Sequence, residues 1–216
     1  MSTVLLTGGY LCDIRHYSKM LHYGSVAWET CCSYHKQTLR NRCRILTADG
    51  VADLCIPVVK PHDGHCQTRE MRVADEPWQK LHWGAIQAAY NKSPFLLYVA
   101  DDLERLYQKR YRFLVDVQQD FHALVCQWMG LSFAEVRTSE YQKQAPDDYR
   151  SLTDYKHSKE DPHFVAVPYW QVFAGKFGFT PNLSILDLLL NTGQEGRIIL
   201  RQCYRDCAIF SSSDCC

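Results

Sequence analysis

Three absences narrow the reading of this chain before any motif is considered. None of its 216 residues belongs to an apolar run of 18 or more, the length a helix needs to cross a bilayer, so no membrane span is expected. Neither sign of charge is in excess. With 24 Lys and Arg against 24 Asp and Glu, nothing draws the surface as a whole to nucleic acid or to an acidic membrane, and no nucleic-acid partner is expected. The opening MSTVLLTGGY has no basic leader and too short an apolar stretch for a signal peptide, which makes the cytoplasm the expected location. There is no internal repeat and no low-complexity segment.

Cysteine is plentiful; ordered spacing is what it lacks. Of the 11 cysteines, Cys12, Cys43, Cys55 and Cys126 stand singly among apolar neighbours, where a free thiol behaves as a small hydrophobe. Without an export signal, disulfides are not expected. Cys203 and Cys207 have the spacing of a zinc knuckle but Cys215 and Cys216 do not, so residues 203–216 read as a flexible, cysteine-rich tail. His62, His65 and Cys66 also lack a ligand period. No metal and no cofactor are expected.

What is present describes a globular domain over residues 1–202. Hydrophobic content is 46% and there are 13 tyrosines, enough for one packed core. A short strand, Val4-Leu5-Leu6-Thr7, breaks at Gly8-Gly9 and leads to a helix over 14–23 and a strand over 25–28. That order predicts an α/β fold: a single domain with a mainly parallel sheet flanked by helices. A β-hairpin is expected at about residues 40–59, turning at Asp49-Gly50, the dipeptide of type I′ turns. Such a turn sets Ile45 opposite Leu54 and Cys43 opposite Ile56. Cys43, Ile45, Ala52, Leu54 and Ile56 then form the core face, and Arg42, Arg44 and Asp53 the other. Further along, a strand is expected over 70–73, helices over 77–90, 93–107 and 111–129, with Gly130 as a stop, and a strand over 132–138. Residues 145–163 are polar and proline-flanked and read as a mobile loop or lid.

Several groups of residues suit chemistry. Extending the hairpin backward places Arg40 with Arg42 and Arg44 in a positive comb fitted to a carboxylate or phosphate, and Asn41 on the core side. A solvated face with Asp53 as partner explains the same pattern. Tyr34, Lys36 and Gln37 lead into the comb from a loop that suits either ligand contact or plain surface. On the expected helix over 77–90, Trp78, His82, Ala85 and Ala89 share a stripe. His82 there is either a general base or a core histidine hydrogen-bonded to a carbonyl. The stretch from Leu183 to Leu190 is apolar almost all round, yet it holds Ser184, Asp187 and Asn191. Ser184 and Asp187 fit a capping box with Gly193 as the stop, but a carboxylate so placed can also be perturbed for use. The glycine pair Gly8-Gly9 is shared with nucleotidylyltransferases, whose H-x-G-H motif is absent because Tyr17, Ser18 and Lys19 follow His16.

In order and spacing these motifs together resemble the WbqC-like family, over roughly residues 5–200. They are Tyr34-His35-Lys36-Gln37, Arg40-Asn41-Arg42-Cys43, Ile56-Pro57-Val58, Pro77-Trp78 with His82-Trp83, Tyr90 and Ser93-Pro94-Phe95. The last set is Gln171-Val172-Phe173, Phe177, Phe179, the run from Pro181 to Leu188, and Gly193. The chain departs from the family pattern at Cys12 and Asp13, which stand where prolines are common. The resemblance implies an α/β domain of bacterial surface-glycan metabolism that transfers an acyl or aminoacyl group, such as glycine, to an amino sugar. On that reading His82 or Asp187 takes the amine proton. Lys36, Arg40 and Arg42 hold a phosphate of a small-molecule or nucleotide-sugar substrate, Asn41 orients a carbonyl, and Tyr34, Gln37, Trp78 and Asn182 complete the binding site. The alternatives are a non-catalytic ligand-binding or assembly protein of the same pathway, and a nucleotidylyltransferase-like enzyme. The oligomeric state is left open.

Overall fold

The computed structural model describes residues 2–59, 66–154 and 160–206. Along the chain run β1 (Val4–Leu6), α1 (Ile14–Tyr23), β2 (Ser25–Trp28), β3 (Arg42–Thr47), β4 (Gly50–Cys55), α2 (Trp78–Tyr90), α3 (Leu96–Gln108), α4 (Leu114–Met129), β5 (Ala134–Arg137), α5 (Ala174–Phe177), α6 (Ile185–Thr192) and α7 (Gly196–Gln202). The expected tail beyond residue 206, the segment around His62 and His65, and part of the expected lid lie outside the described residues.

The fold is α/β. One sheet has three parallel strands in the order β1-β2-β5, with Val4 opposite Val26 and Ser25 opposite Ala134. Helix α1 connects β1 to β2. It begins at Asp13, whose carboxylate caps the helix by accepting from the His16 N–H at 2.9 Å. It ends at Gly24, held at φ 69°. The free edge of β1 is covered by residues 147–149, bonded on both sides of Leu5, which blunts an otherwise open edge. All three strands therefore end on the same side of the sheet, where α/β proteins form their clefts.

The antiparallel hairpin β3–β4 forms as expected, in a register two residues different. Cys43 faces Leu54, Ile45 faces Ala52 and Thr47 closes the turn with Gly50. Asp49-Gly50 is not the central pair. Ala48 and Asp49 occupy the turn without positive φ, and the left-handed conformation falls on Gly50 alone, at φ 113°, as when glycine follows a type I turn. Thr47 Oγ1 receives the Asp49 N–H and donates to the Gly50 carbonyl, which fixes this turn over the type I′ alternative. A shift of two residues leaves the faces unchanged, so Cys43, Ile45, Leu54 and Ile56 are buried as expected.

Helix α6 is the centre of the core. Ile185, Leu186, Leu188, Leu189 and Leu190 are all 1% exposed or less. Its start is tied to its surroundings: Ser184 caps it by accepting from the Leu186 N–H, and its hydroxyl donates to the Leu11 carbonyl. Gly193, at φ 58°, ends it. The expected strand over 70–73 is a 3₁₀ turn (Thr68–Glu70) followed by isolated bridges from Arg72 to Phe113 and from Val73 to Val58. Helices α5 and α7 were not evident from periodicity, being only 4 and 7 residues long. Cys203, the first residue assigned to the tail, is buried and bonded through its carbonyl to Val165.

Candidate active site

The ten residues singled out from sequence fall into separate environments. Trp78 and His82 lie in an aromatic cluster of the core. The Tyr10 hydroxyl is 3.1 Å from His82 Nδ1 and 2.5 Å from the Tyr107 hydroxyl, and Trp78 meets Tyr10, His82 and Tyr107 edge-on. The histidine also hydrogen-bonds the Cys55 backbone, and burial pushes its pKa down to about 4. Asp187 is 1% exposed and accepts from Tyr90 at 2.8 Å, Tyr169 at 2.5 Å and Gln171 at 3.1 Å. Burial raises its pKa despite these donors. Its side chain does not complete a capping box. Asn182, at φ 50°, accepts from the Arg15 N–H and donates to Asp13, locking the first turn of α1.

Tyr34, Lys36, Gln37, Arg40, Asn41 and Arg42 lie along one segment. Lys36 and Gln37 are exposed, while Arg40 is buried. Arg40 does not extend a comb: it sits in a turn before β3 and donates to Thr38 Oγ1 and Cys32 Sγ. Arg42 pairs with Asp53 at 3.4 Å. Asn41 is fixed by its amide to the Ile56 carbonyl. Burial raises the Tyr34 hydroxyl to about 12, with Arg40 and Arg42 close enough to oppose the shift.

None of the ten lines the cleft at the carboxyl ends of the parallel strands. This cleft, of about 210 Å³, lies between the β2–β5 face, α1 and α4. Gly8 and Gly9 follow β1 at its edge, and Gly9, against the Leu39 backbone, has no room for a side chain. A Cβ on Gly8 would sit 2.9 Å from Gln118 Oε1, and one on Gly9 would sit 2.7 Å from the Leu39 carbonyl oxygen. His16 and Tyr17 come from α1, Gln118, Gln119 and His122 from one face of α4, Trp28 from β2, and Glu135 and Arg137 from alternate positions of β5.

Three of these groups form a chain. Glu135 Oε1 is 3.2 Å from His122 Nε2, and His122 Nδ1 is 2.9 Å from the Tyr17 hydroxyl. A carboxylate only accepts, so Nε2 carries the proton and Nδ1 accepts from Tyr17. Glu135 is fixed further by Trp28 Nε1 at 2.7 Å. The His122 hydrogen bond is the main cause that holds its carboxyl below the usual range. A carboxylate, an imidazole and a hydroxyl in series can move a proton to and from the cleft. His16, in contrast, is 0% exposed with neither ring nitrogen hydrogen-bonded among the described residues. Its pKa is pushed down to about 3 by burial first, then by Arg15 and His122.

The model of the WbqC-like protein family matches residues 9–160, most of the chain and nearly all of the cleft. The chain belongs to the WbqC-like protein family. It is also similar to an uncharacterised protein, Rv1507c, of Mycobacterium tuberculosis, 26% identical over 195 residues that cover 79% of this chain and 84% of the relative. No solved structure matches. Among the described residues, no helix is long and apolar enough to cross a membrane, and no three His, Cys, Asp or Glu side chains group to hold a metal. Within this WbqC-like chain the sequence motifs mark the core and the hairpin, whereas the cleft is built from residues outside them. One signal in the sequence could have led to it: the polar set Gln118, Gln119 and His122, at helical spacing on α4.

Proposed function

We propose that this WbqC-like protein is a group-transfer enzyme working in the β1–β2–β5 cleft. In this reading it moves an acyl or aminoacyl group onto an amino sugar in bacterial surface-glycan metabolism. The observation that carries the proposal is the Glu135–His122–Tyr17 chain opening into that cleft. An amine must lose a proton as its nitrogen attacks a carbonyl carbon. The Tyr17 oxygen accepts that proton while its own passes to His122 Nδ1, and the imidazolium so formed is held by the ionised Glu135. The proton returns by the same route to the departing group. His82 and Asp187, proton acceptors by residue type, are in this reading supports of the core. Gln118 donates to the Arg40 carbonyl at 2.7 Å, so the loop with Tyr34, Lys36 and Arg42 adjoins the cleft wall and supplies contacts to the donor.

The test is to incubate the protein with amino sugars and nucleotide-amino sugars together with acyl and aminoacyl donors, and to seek product by mass spectrometry. Tyr17→Phe and Glu135→Gln should each lower turnover about 10²- to 10⁴-fold, the range for general acid–base catalysis, at nearly unchanged melting temperature. Full activity in Tyr17→Phe sinks the relay. Saturable binding with no product from any pair returns the protein to the non-catalytic ligand-binding reading.

A further inference from the structure

We propose that His16 forms the floor of a subsite for a neutral hydroxyl group, so that the cleft takes a hydroxylated ring there and not a phosphate. This deepens the reading of the cleft as a substrate site and rests on it. The argument begins with hydrogen-bond accounting. Buried polar groups in folded proteins are almost always paired, yet His16 is 0% exposed, lines the cleft and leaves both Nδ1 and Nε2 without a partner among the described residues. Every other histidine near it is engaged. His122 is held at both nitrogens, by Glu135 and Tyr17. A side chain left open in this way has its partner in whatever fills the cleft.

The chemistry of that partner follows from the charge state of the ring. Burial, Arg15 and His122 hold the pKa near 3, so His16 is neutral at pH 7, with one nitrogen a donor and the other an acceptor. A fully ionised phosphate ester offers acceptors only: it can serve the ring N–H but not the bare nitrogen, and it meets no positive charge from the imidazole. An ammonium group offers donors only. A hydroxyl donates or accepts as needed, and so can serve whichever ring nitrogen it meets. The neighbouring walls agree with this choice. Gln118 spends its amide N–H on the Arg40 carbonyl and keeps Oε1 beside Gly8, which leaves an acceptor for a second hydroxyl. The Trp28 ring lies within 13° of parallel to His16, 6.1 Å away, and gives the site an aromatic wall. The Arg137 guanidinium, the cationic group on the rim, is already bonded to Gln119.

The experiment follows the His16 imidazole resonances of the full chain by NMR at pH 8 during titration with two probes, N-acetylglucosamine and methyl phosphate, an ester fully ionised there. N-acetylglucosamine should shift them saturably, and methyl phosphate should not. His16→Phe, which keeps the ring and removes both nitrogens, should weaken sugar binding at least tenfold. His16→Gln, which keeps a donor and an acceptor, should restore it to within a few-fold. If His16→Phe does not fold, the wild-type shifts and the Gln variant decide. Equal affinity in the folded Phe variant, His16 shifts produced by methyl phosphate, or no saturable binding of the sugar would each overturn the subsite. Repeating the titration in Tyr17→Phe separates the two proposals. Sugar binding kept there with full turnover removes the relay and leaves the subsite. Loss of binding in His16→Phe with the relay intact is specific to the subsite.

Discussion

Asp187 is kept in the core by the company it has, since a carboxylate 1% exposed is tolerated only when donors surround it. Tyr90, Tyr169 and Gln171 each spend a proton on it. Asp187→Ala should therefore destabilise the fold by about 3–5 kcal/mol, because several buried donors lose their partner at once. Tyr169→Phe, which removes one donor and leaves the carboxylate two, should lose about 1–2 kcal/mol. Urea denaturation of both variants checks the order; an alanine variant as stable as wild type would show that these donors find other partners. Ser184 was legible as a helix start because a cap acts within its own turn. Asp187 was not, because its tyrosine partners lie 97 and 18 residues away in the chain. The same distance effect hid the bond between Tyr10 and His82, 72 residues apart.

At the scale of elements, local patterns read well wherever a local force sets the boundary. The strand over 25–28 and the helix over 14–23 coincide with β2 and α1, because Gly24 separates them and Asp13 begins the helix. The hairpin was found with its faces right and its register two residues off, because the register was settled by the Thr47 hydroxyl and the dipeptide alone was ambiguous. The turn makes a checkable claim. With Gly50 at φ 113°, Gly50→Ala places a side chain in a region L-residues avoid, and should cost about 1–2 kcal/mol. Ala48→Gly, in the same turn at ordinary φ, should cost well under that. Equal losses, measured by thermal and chemical denaturation, would show that the Gly50 conformation does not set this turn. The cleft was illegible for a related reason. It draws His16 and Tyr17 from α1, Trp28 from β2, Gln118, Gln119 and His122 from α4, and Glu135 and Arg137 from β5, and nothing local in the sequence brings these four elements together.

The whole molecule balances ionisable groups that burial pushes in opposite directions, and its stability should depend on pH accordingly. His16 and His82 have pKa values of about 3 and about 4, against 6.5 for an exposed histidine. Both states hold these rings neutral above pH 6.5, so their contribution is fully present there. Below it the unfolded chain binds two protons that the folded chain refuses, and stability falls by up to about 1.4 kcal/mol per pH unit for each ring. From pH 7.5 to 5.0 that amounts to about 2 kcal/mol per histidine. Asp13 and Asp187 work the other way. Burial raises their folded pKa, so toward the acid end of the range the folded state takes up protons before the unfolded one and recovers part of the loss. The fall should therefore begin through pH 6.5 and be steepest about a unit below it, before the carboxylates offset it. Urea unfolding at pH 7.5, 6.0 and 5.0 tests this, with His82→Gln as the control that should remove about half of the slope. A wild type equally stable at all three values would mean that one or both rings accept a proton in place. For His16 that would also remove the neutrality on which its match to a hydroxyl depends, so the stability curve and the binding titration judge the same ring independently.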